Sequence, residues 1–320
     1  MGDRPQLVSV VLPVRNEATH IEAAIASVLG QDFAGKLEIV VADGMSTDGT
    51  REILETISAQ DKRVRRVDNP TGGTPNGLNI AIEASQGDVI VRCDGHSELP
   101  ADYVSTAVDV MTRTGAVNVG GIQHAVGITP LQRAIAYAMS SRVGVGDARF
   151  HYGGEPGEVD TVYLGVFRRD ALLAAGMFDE TLTRNQDYEL NIRLRANGGV
   201  IWFDPRLRVV YRPRPTLRKL WRQYFEYGSW KRRVIKMHPE STRLRQLVPP
   251  LFIIALLGSA ALAFTPWRML GLVTPLLYAG LLAAATLVKV ARTGDPAALL
   301  LPAAAATMHV AWGLGFLSSR

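Results

Sequence analysis

LVSVVLPVRNEATHIEAAIASVLGQ, residues 7–31, decides how the first half of the chain folds. Its first eight residues form an almost unbroken apolar run, the pattern of a parallel strand buried on both faces. After Arg15–Glu17 the apolar residues recur at helical spacing and end near Gly30. A buried strand, a polar corner and a helix open an α/β domain. The pattern then repeats. KLEIVVAD (36–43) reads as a second strand, and STDGTREILETISAQ (46–60) as a helix with Ser46 or Thr47 at its N-cap. VRRVDN (64–69), TPNGLNIAIEASQGD (74–88) and VIVRCDG (89–95) continue as strand, helix and strand. The alternation predicts a mainly parallel sheet. Ligands of such sheets bind at the carboxyl ends of the strands. Arg15–Glu17, Asp43–Gly44, Asn69 and Asp94–His96 all fall there.

Residues 123–205 are less regular. The glycines of HYGGEPGEVD (151–160) predict a mobile loop over a site, and DYELNIRLRANGG (187–199) predicts a helix stopped by Gly198 and Gly199.

Charge is unevenly placed. Of the net +5, the segment Arg206–Arg245 carries 13 Lys/Arg against Glu226 and Glu240, a balance of +11 that leaves −6 elsewhere. One cysteine, Cys93, cannot form an internal disulfide, so folding needs no oxidising compartment. The start, MGDRPQLVSVVLPV, carries no signal-peptide pattern, and the expectation is a domain without a cleaved leader.

Three charge-free apolar stretches follow the basic segment: Leu247–Phe264, Met269–Val288 and Ala297–Leu317. Each is long enough to span a hydrocarbon core of about 30 Å. A buried helical hairpin is the plainer alternative. The first connection carries Arg268 and the second Lys289 and Arg292. The positive-inside rule then predicts a cytosolic N-terminal domain and a chain end on the outer face. The basic stretch TLRKLWRQYFEYGSWKRRVIKMHP (216–239) interleaves cations with Trp221, Tyr224, Phe225, Tyr227 and Trp230. It predicts a helix in the headgroup layer, in contact with membrane lipids. A solvated linker is the bland reading. Nucleic-acid surfaces also mix bases and aromatics, but the neighbouring span argues against a nucleic-acid partner. The expected organisation is a catalytic domain over 1–215, an interfacial segment over 216–245 and a membrane domain over 246–320.

No GxGxxG follows the first strand, and no P-loop, zinc spacing or GxSxG elbow occurs. Carboxylates at strand ends remain. Asp43 can accept hydrogen bonds from a base or ribose, or serve an Asx turn. Asp94 and His96, two apart in a turn, either hold one divalent ion or only shape the turn. Asp187 and Glu189 sit at a helix start, where the dipole favours the ionised form of a base, or simply caps the helix. His151 reads as a loop histidine.

VVLPVRNEATHIEAAIASVLGQ, IVVADGMSTDGT, the Asp94–His96 turn and FDETLTRNQDYELNIRLRANGG occur in the order found in family 2 glycosyltransferases. TPNGLNIAI, GEVDTVYLGVFRRDAL and RQYFEYGSWK resemble, within that family, the bacterial exopolysaccharide glucosyltransferases. The resemblance implies a GT-A nucleotide-sugar domain. It implies that Pro13, Arg15, Glu17, Asp43, Gly44, Asn79 and Asp94 bind the nucleotide-sugar, that Asp94 and His96 hold Mn²⁺ or Mg²⁺, and that Asp187 is the catalytic base. His96 stands in place of the second aspartate of the DxD motif, and Gln186 in place of the first acid of the (E/D)D motif. QYFEYGSW lacks the QxxRW spacing of processive members, so single-sugar addition is expected. The implied activity is inverting transfer from a nucleotide-sugar, UDP-glucose first, to a polyprenyl-linked acceptor at the bacterial inner membrane. The alternatives are transfer to polyprenyl phosphate itself, or a silent membrane scaffold.

Overall fold

A computed structural model describes residues 5–319, leaving residues 1–4 and 320 outside. The chain divides into two units: residues up to His124 with Gly153–Val210, and Ala125–Tyr152 with Tyr211 onward.

The first unit begins β1 (Leu7–Val14), α1 (Ile21–Leu29), β2 (Lys36–Asp43), α2 (Thr50–Gln60), β3 (Val64–Asp68), α3 (Thr74–Ala84), β4 (Val89–Arg92), α4 (Tyr103–Thr114) and β5 (Asn118–Ala125). The second unit then contributes α5 (Pro130–Met139), α6 (Arg142–Val145) and α7 (Arg149–Tyr152). The chain returns for β6 (Gly157–Glu158), β7 (Tyr163–Arg168), α8 (Arg169–Ala174), α9 (Gln186–Ala196) and β8 (Ile201–Tyr211). It closes with α10 (Leu217–Met237), α11 (Leu244–Leu262), α12 (Val273–Thr293) and α13 (Leu301–Ser318).

The sheet runs β3-β2-β1-β4-β7-β5-β8-β6. The expected parallel pairing holds over β3, β2, β1 and β4, and beyond β4 the pairings with β7 turn antiparallel. In the parallel half Val14, Asp43 and Asp68 share one register row, and Val11 faces Arg92. The polar residues that follow each strand are therefore delivered to one edge. Val10, Leu12, Ile39 and Val41 are fully buried between helical layers, each worth about 1.5–3 kcal/mol of apolar transfer. Ser9 is the polar exception in β1. Its hydroxyl donates to Glu38 (2.6 Å) and accepts the Gly87 N–H (2.7 Å), which fixes the start of β4.

Residues 125–152 pack with the C-terminal helices, so the boundary differs from the expected single break at 215. The reason is apolar: Ile135, Ala138 and Met139 of α5 share a core cluster with Leu220 and Tyr224 of α10 and with Leu301, Ala304, Ala305 and Met308 of α13. The glycine-rich stretch is partly ordered as well, since Gly157 and Glu158 pair with Phe203 and Trp202. Three helical segments, Leu244–Leu262, Leu270–Thr293 and Pro296–Ser318, are long and apolar enough to cross a membrane.

Candidate active site

The carboxyl ends of the parallel strands open onto a cavity of about 220 Å³. Of the residues singled out from sequence, Pro13, Arg15, Glu17, Asp94 and His96 line it together. Asn69, Gly72, Gly73, Thr74, Arg92, Arg184 and Gln186 also contribute to the wall.

The corner after β1 is held by the STDGT segment. The N–H groups of Asn16, Glu17 and Ala18 donate to Ser46 Oγ (2.9 Å), Thr50 Oγ1 (2.9 Å) and Asp48 Oδ2 (3.1 Å), and Thr47 N–H donates back to Asn16 Oδ1 (2.9 Å). The Thr50 hydroxyl donates to Asp48 as well and leads the causes that hold its carboxyl below the usual range. Asn16 adopts a left-handed φ of 58°, which its short polar side chain tolerates. Arg15 then lies against Gly72, where an added Cβ would come within 2.6 Å of the guanidinium.

Arg92 organises the opposite wall. Its side chain, 7% exposed, leaves the end of β4 and meets two carboxylates. Its Nε and Nη2 donate to Asp94 Oδ1 at 3.2 and 3.0 Å, and its Nη1 donates to Asp187 Oδ1 in a short ion pair. Burial opposes its charge, but Asp187 and then Asp94 more than offset this, and the guanidinium is held charged beyond its ordinary range. Across the turn, His96 Nδ1 lies 3.0 Å from Glu17 Oε1. Metal ligand and nucleotide-pocket acid, as read from sequence, thus meet each other.

Asp187 reaches the site through Arg92 and is not itself in the cavity wall. Asp43 and Gly44 are not in the wall either. Asp43 is fully buried, receiving the Ser46 N–H at both oxygens (3.3 Å) with Arg51 3.4 Å away, the contacts of an Asx turn. Gly44 sits one layer back, where a side chain would meet Arg15 and Gly72 at 3.1 Å. Asn79 lies outside the wall as well. Its amide donates to Phe178 O (2.9 Å) and Glu180 (3.0 Å) and accepts the Phe178 N–H (3.0 Å). Asn76, one turn earlier, donates to Glu180 too (2.5 Å), so α3 anchors the segment leading into α9. Glu189 is buried and paired with its i+4 neighbour Arg193 (2.6 Å), which leaves Asp187 as the acid of this helix near the cavity. His151 belongs to the second unit, where burial and then Arg245 lower its pKa to about 3.

Sequence reasoning missed Arg92 and Arg184. The signal for Arg92 was present: a lone cation inside the apolar run VIVRC requires a buried partner.

The family described as Glycosyl transferase family 2 matches residues 9–174. Succinoglycan biosynthesis protein ExoA of Rhizobium meliloti is 35% identical over 313 residues, covering 96% of this chain and 93% of that protein. A dolichyl N-acetyl-alpha-D-glucosaminyl phosphate 3-beta-D-2,3-diacetamido-2,3-dideoxy-beta-D-glucuronosyltransferase of Methanococcus voltae is 23% identical over 238 residues, covering 72% of this chain and 74% of that one. In fold the chain is similar to the mannosyltransferase PcManGT from Pyrobaculum calidifontis, solved with GDP-Man and Mn²⁺. The TM-score is 0.62 at 21% identity, over 98% of this chain and 87% of that one. The mixed sheet with strand-end carboxylates is a GT-A-like domain, and the chain belongs to glycosyl transferase family 2.

Proposed function

We propose that this glycosyltransferase moves one sugar, with inversion, from a nucleotide-sugar to a polyprenyl-linked saccharide in exopolysaccharide or cell-surface glycan synthesis. UDP-glucose is the first candidate donor. The observation that carries the reading is the Arg92 bridge: one buried guanidinium holds the carboxylate assigned to the donor, Asp94, and the one assigned to the acceptor, Asp187. Arg15 and Arg184 add cationic wall, suited to a diphosphate. Asp187 Oδ1 is engaged by Arg92, while Oδ2 has no hydrogen-bond partner among the described residues. Oδ2 takes the acceptor hydroxyl proton as that oxygen bonds to the anomeric carbon and the bond to the diphosphate breaks.

Asp94 and His96 fit a divalent cation, Mn²⁺ or Mg²⁺, by the chemistry of their donors. Asp94 turns only Oδ1 to Arg92, and Glu17 orients the His96 ring as carboxylates orient metal-binding imidazoles. No three His, Cys, Asp or Glu among the described residues are grouped to hold an ion by themselves. Substrate oxygens and water would complete the coordination, the usual arrangement for Mg²⁺. Such an ion supplies Lewis-acid neutralisation of the departing diphosphate.

Apolar helices suit a lipid-tailed acceptor, and the cations of α10 support a cytosolic face at the bacterial inner membrane. The names of the Rhizobium and Methanococcus relatives support a polysaccharide product and an acceptor that already carries a sugar. A donor screen on purified membranes tests the reading. UDP release from a UDP-hexose, dependent on Mn²⁺ or Mg²⁺ and on a polyprenyl-linked saccharide, is expected. Release of GDP only, or equal transfer to bare polyprenyl phosphate, would replace it.

A further inference from the structure

The three apolar C-terminal segments are not alike. Over their apolar windows the first two are 22% and 17% buried within the protein, and the third, containing α13, is 44% buried. α10 covers α13 along its length, and α11 touches it near its own start, where a Cβ at Gly313 would lie 2.6 Å from the Pro249 carbonyl and from Ile253. Gly228 of α10 lies against Trp312 and Phe316, and Gly315 of α13 against the Phe225 carbonyl, so close that a Cβ on either would fall about 2 Å from backbone oxygen. Ser229 Oγ donates to Gly315 O (3.0 Å), and Arg232 Nη1 donates to Phe316 O (3.1 Å) and Leu317 O (2.9 Å). Toward the other end, Leu220 and Tyr224 share a core cluster with Leu301, Ala304, Ala305 and Met308. The contact runs along α13 from its first turn to its last.

The entrance to α13 is bound by polar groups as well. Asp295, just before it, accepts from Arg133 (2.9 Å) and Tyr137 (2.7 Å) of α5. A helix of 18 residues is about 27 Å long. Were α13 to cross a bilayer, α10 at its side would cross with it. That helix carries Arg218, Lys219, Arg222, Lys231, Arg232, Arg233 and Lys236, and is not among the helices apolar enough to span. Its one-sided apolar face, cations and Trp221 and Trp230 are those of a helix lying in the plane of an interface. Helices packed side by side share that plane.

We infer that α13 does not cross the membrane: α13, α10 and α5 form a platform in the headgroup layer of an anionic leaflet, and α11 and α12 are the crossing pair. The end of α13 then lies on the same side as α10, opposite to what hydropathy alone predicts. The exposed leucines agree. Leu251, Leu257, Leu276, Leu277 and Leu287, all more than half exposed, belong to α11 and α12, whereas in the third segment Leu299, at the entrance to α13, is the one leucine of that exposure among the described residues.

Single-cysteine labelling decides this without reference to sugar transfer. The native thiol, Cys93, is fully buried, and burial pushes its pKa up, so it stays silent to maleimides. Lys236→Cys in α10, Thr265→Cys between α11 and α12, and Ser318→Cys are placed at exposed positions. In sealed vesicles with the α10 side outward, a membrane-impermeant maleimide should label positions 236 and 318 directly and 265 only after detergent. Labelling of 318 only after detergent, together with 265, would overturn the assignment. An epitope joined after residue 320 and exposed to protease gives the same reading independently of thiol reactivity. Removal of the epitope in intact vesicles supports the platform, and its protection until detergent contradicts it.

Discussion

The two units place charge and apolar surface in opposite ways. In the first, Val10, Leu12, Ile39 and Val41 are sealed inside, and Arg92, Asp43 and Glu189 are buried only with ionic partners. In the second, leucines of α11 and α12 face outward, Leu277 with 71% of its surface exposed. Water outside the first unit and lipid outside these helices account for both arrangements. The same side chain therefore carries opposite meaning in the two units: an outward leucine is incidental in one and a solvent contact in the other.

The largest effect that sharpens this contrast comes from one substitution made in both places. Leu281→Arg, midway along α12 and half exposed, should cost about 2.5–3.5 kcal/mol of membrane insertion. Leu173→Arg on α8, comparably exposed, should stay within about 0.5 kcal/mol, as exposed sites in water do. Membrane yield and thermal midpoint measure the pair, and equal behaviour would break the comparison. Next is Arg92→Met. It strands two carboxylates that stay partly solvated, so a stability loss of about 2–3 kcal/mol is expected. Transfer should fall with it, whereas a variant with near-native activity would remove the bridge from the account. The smallest effect concerns pH. His151, with its folded pKa lowered to about 3, stays neutral while the unfolded chain takes up a proton below about 6.5. Stability is therefore lost as pH falls from about 6.5 toward 3, and His151→Gln should flatten that loss in acid thermal melts.

Much of the first unit could be read from local pattern. β1, α1, β2 and β4 announce themselves by apolar runs and helical spacing within a few residues, and the strand-end polar residues follow from them. What depended on distant partners could not be read. Arg92 meets Asp187 across 95 positions. Asn79 clamps Phe178 across 99, and so holds the approach to α9. Asp43 looks like an open strand-end acid until Arg51 and the Ser46 N–H close over it. Hydropathy found three apolar helices correctly, but it averages over all faces of a helix. It is blind to α10 packing along α13, where glycines 228 and 315 bring two backbones together.

The central claim is that Asp187 serves the acceptor while the Asp94 side serves the donor. Asp187→Asn separates the two in one assay on purified protein, by following sugar transfer and donor binding together. The account predicts transfer reduced by about 10²–10⁴-fold with donor affinity within a few-fold of native. Near-native turnover, or loss of donor binding in step with transfer, would contradict it.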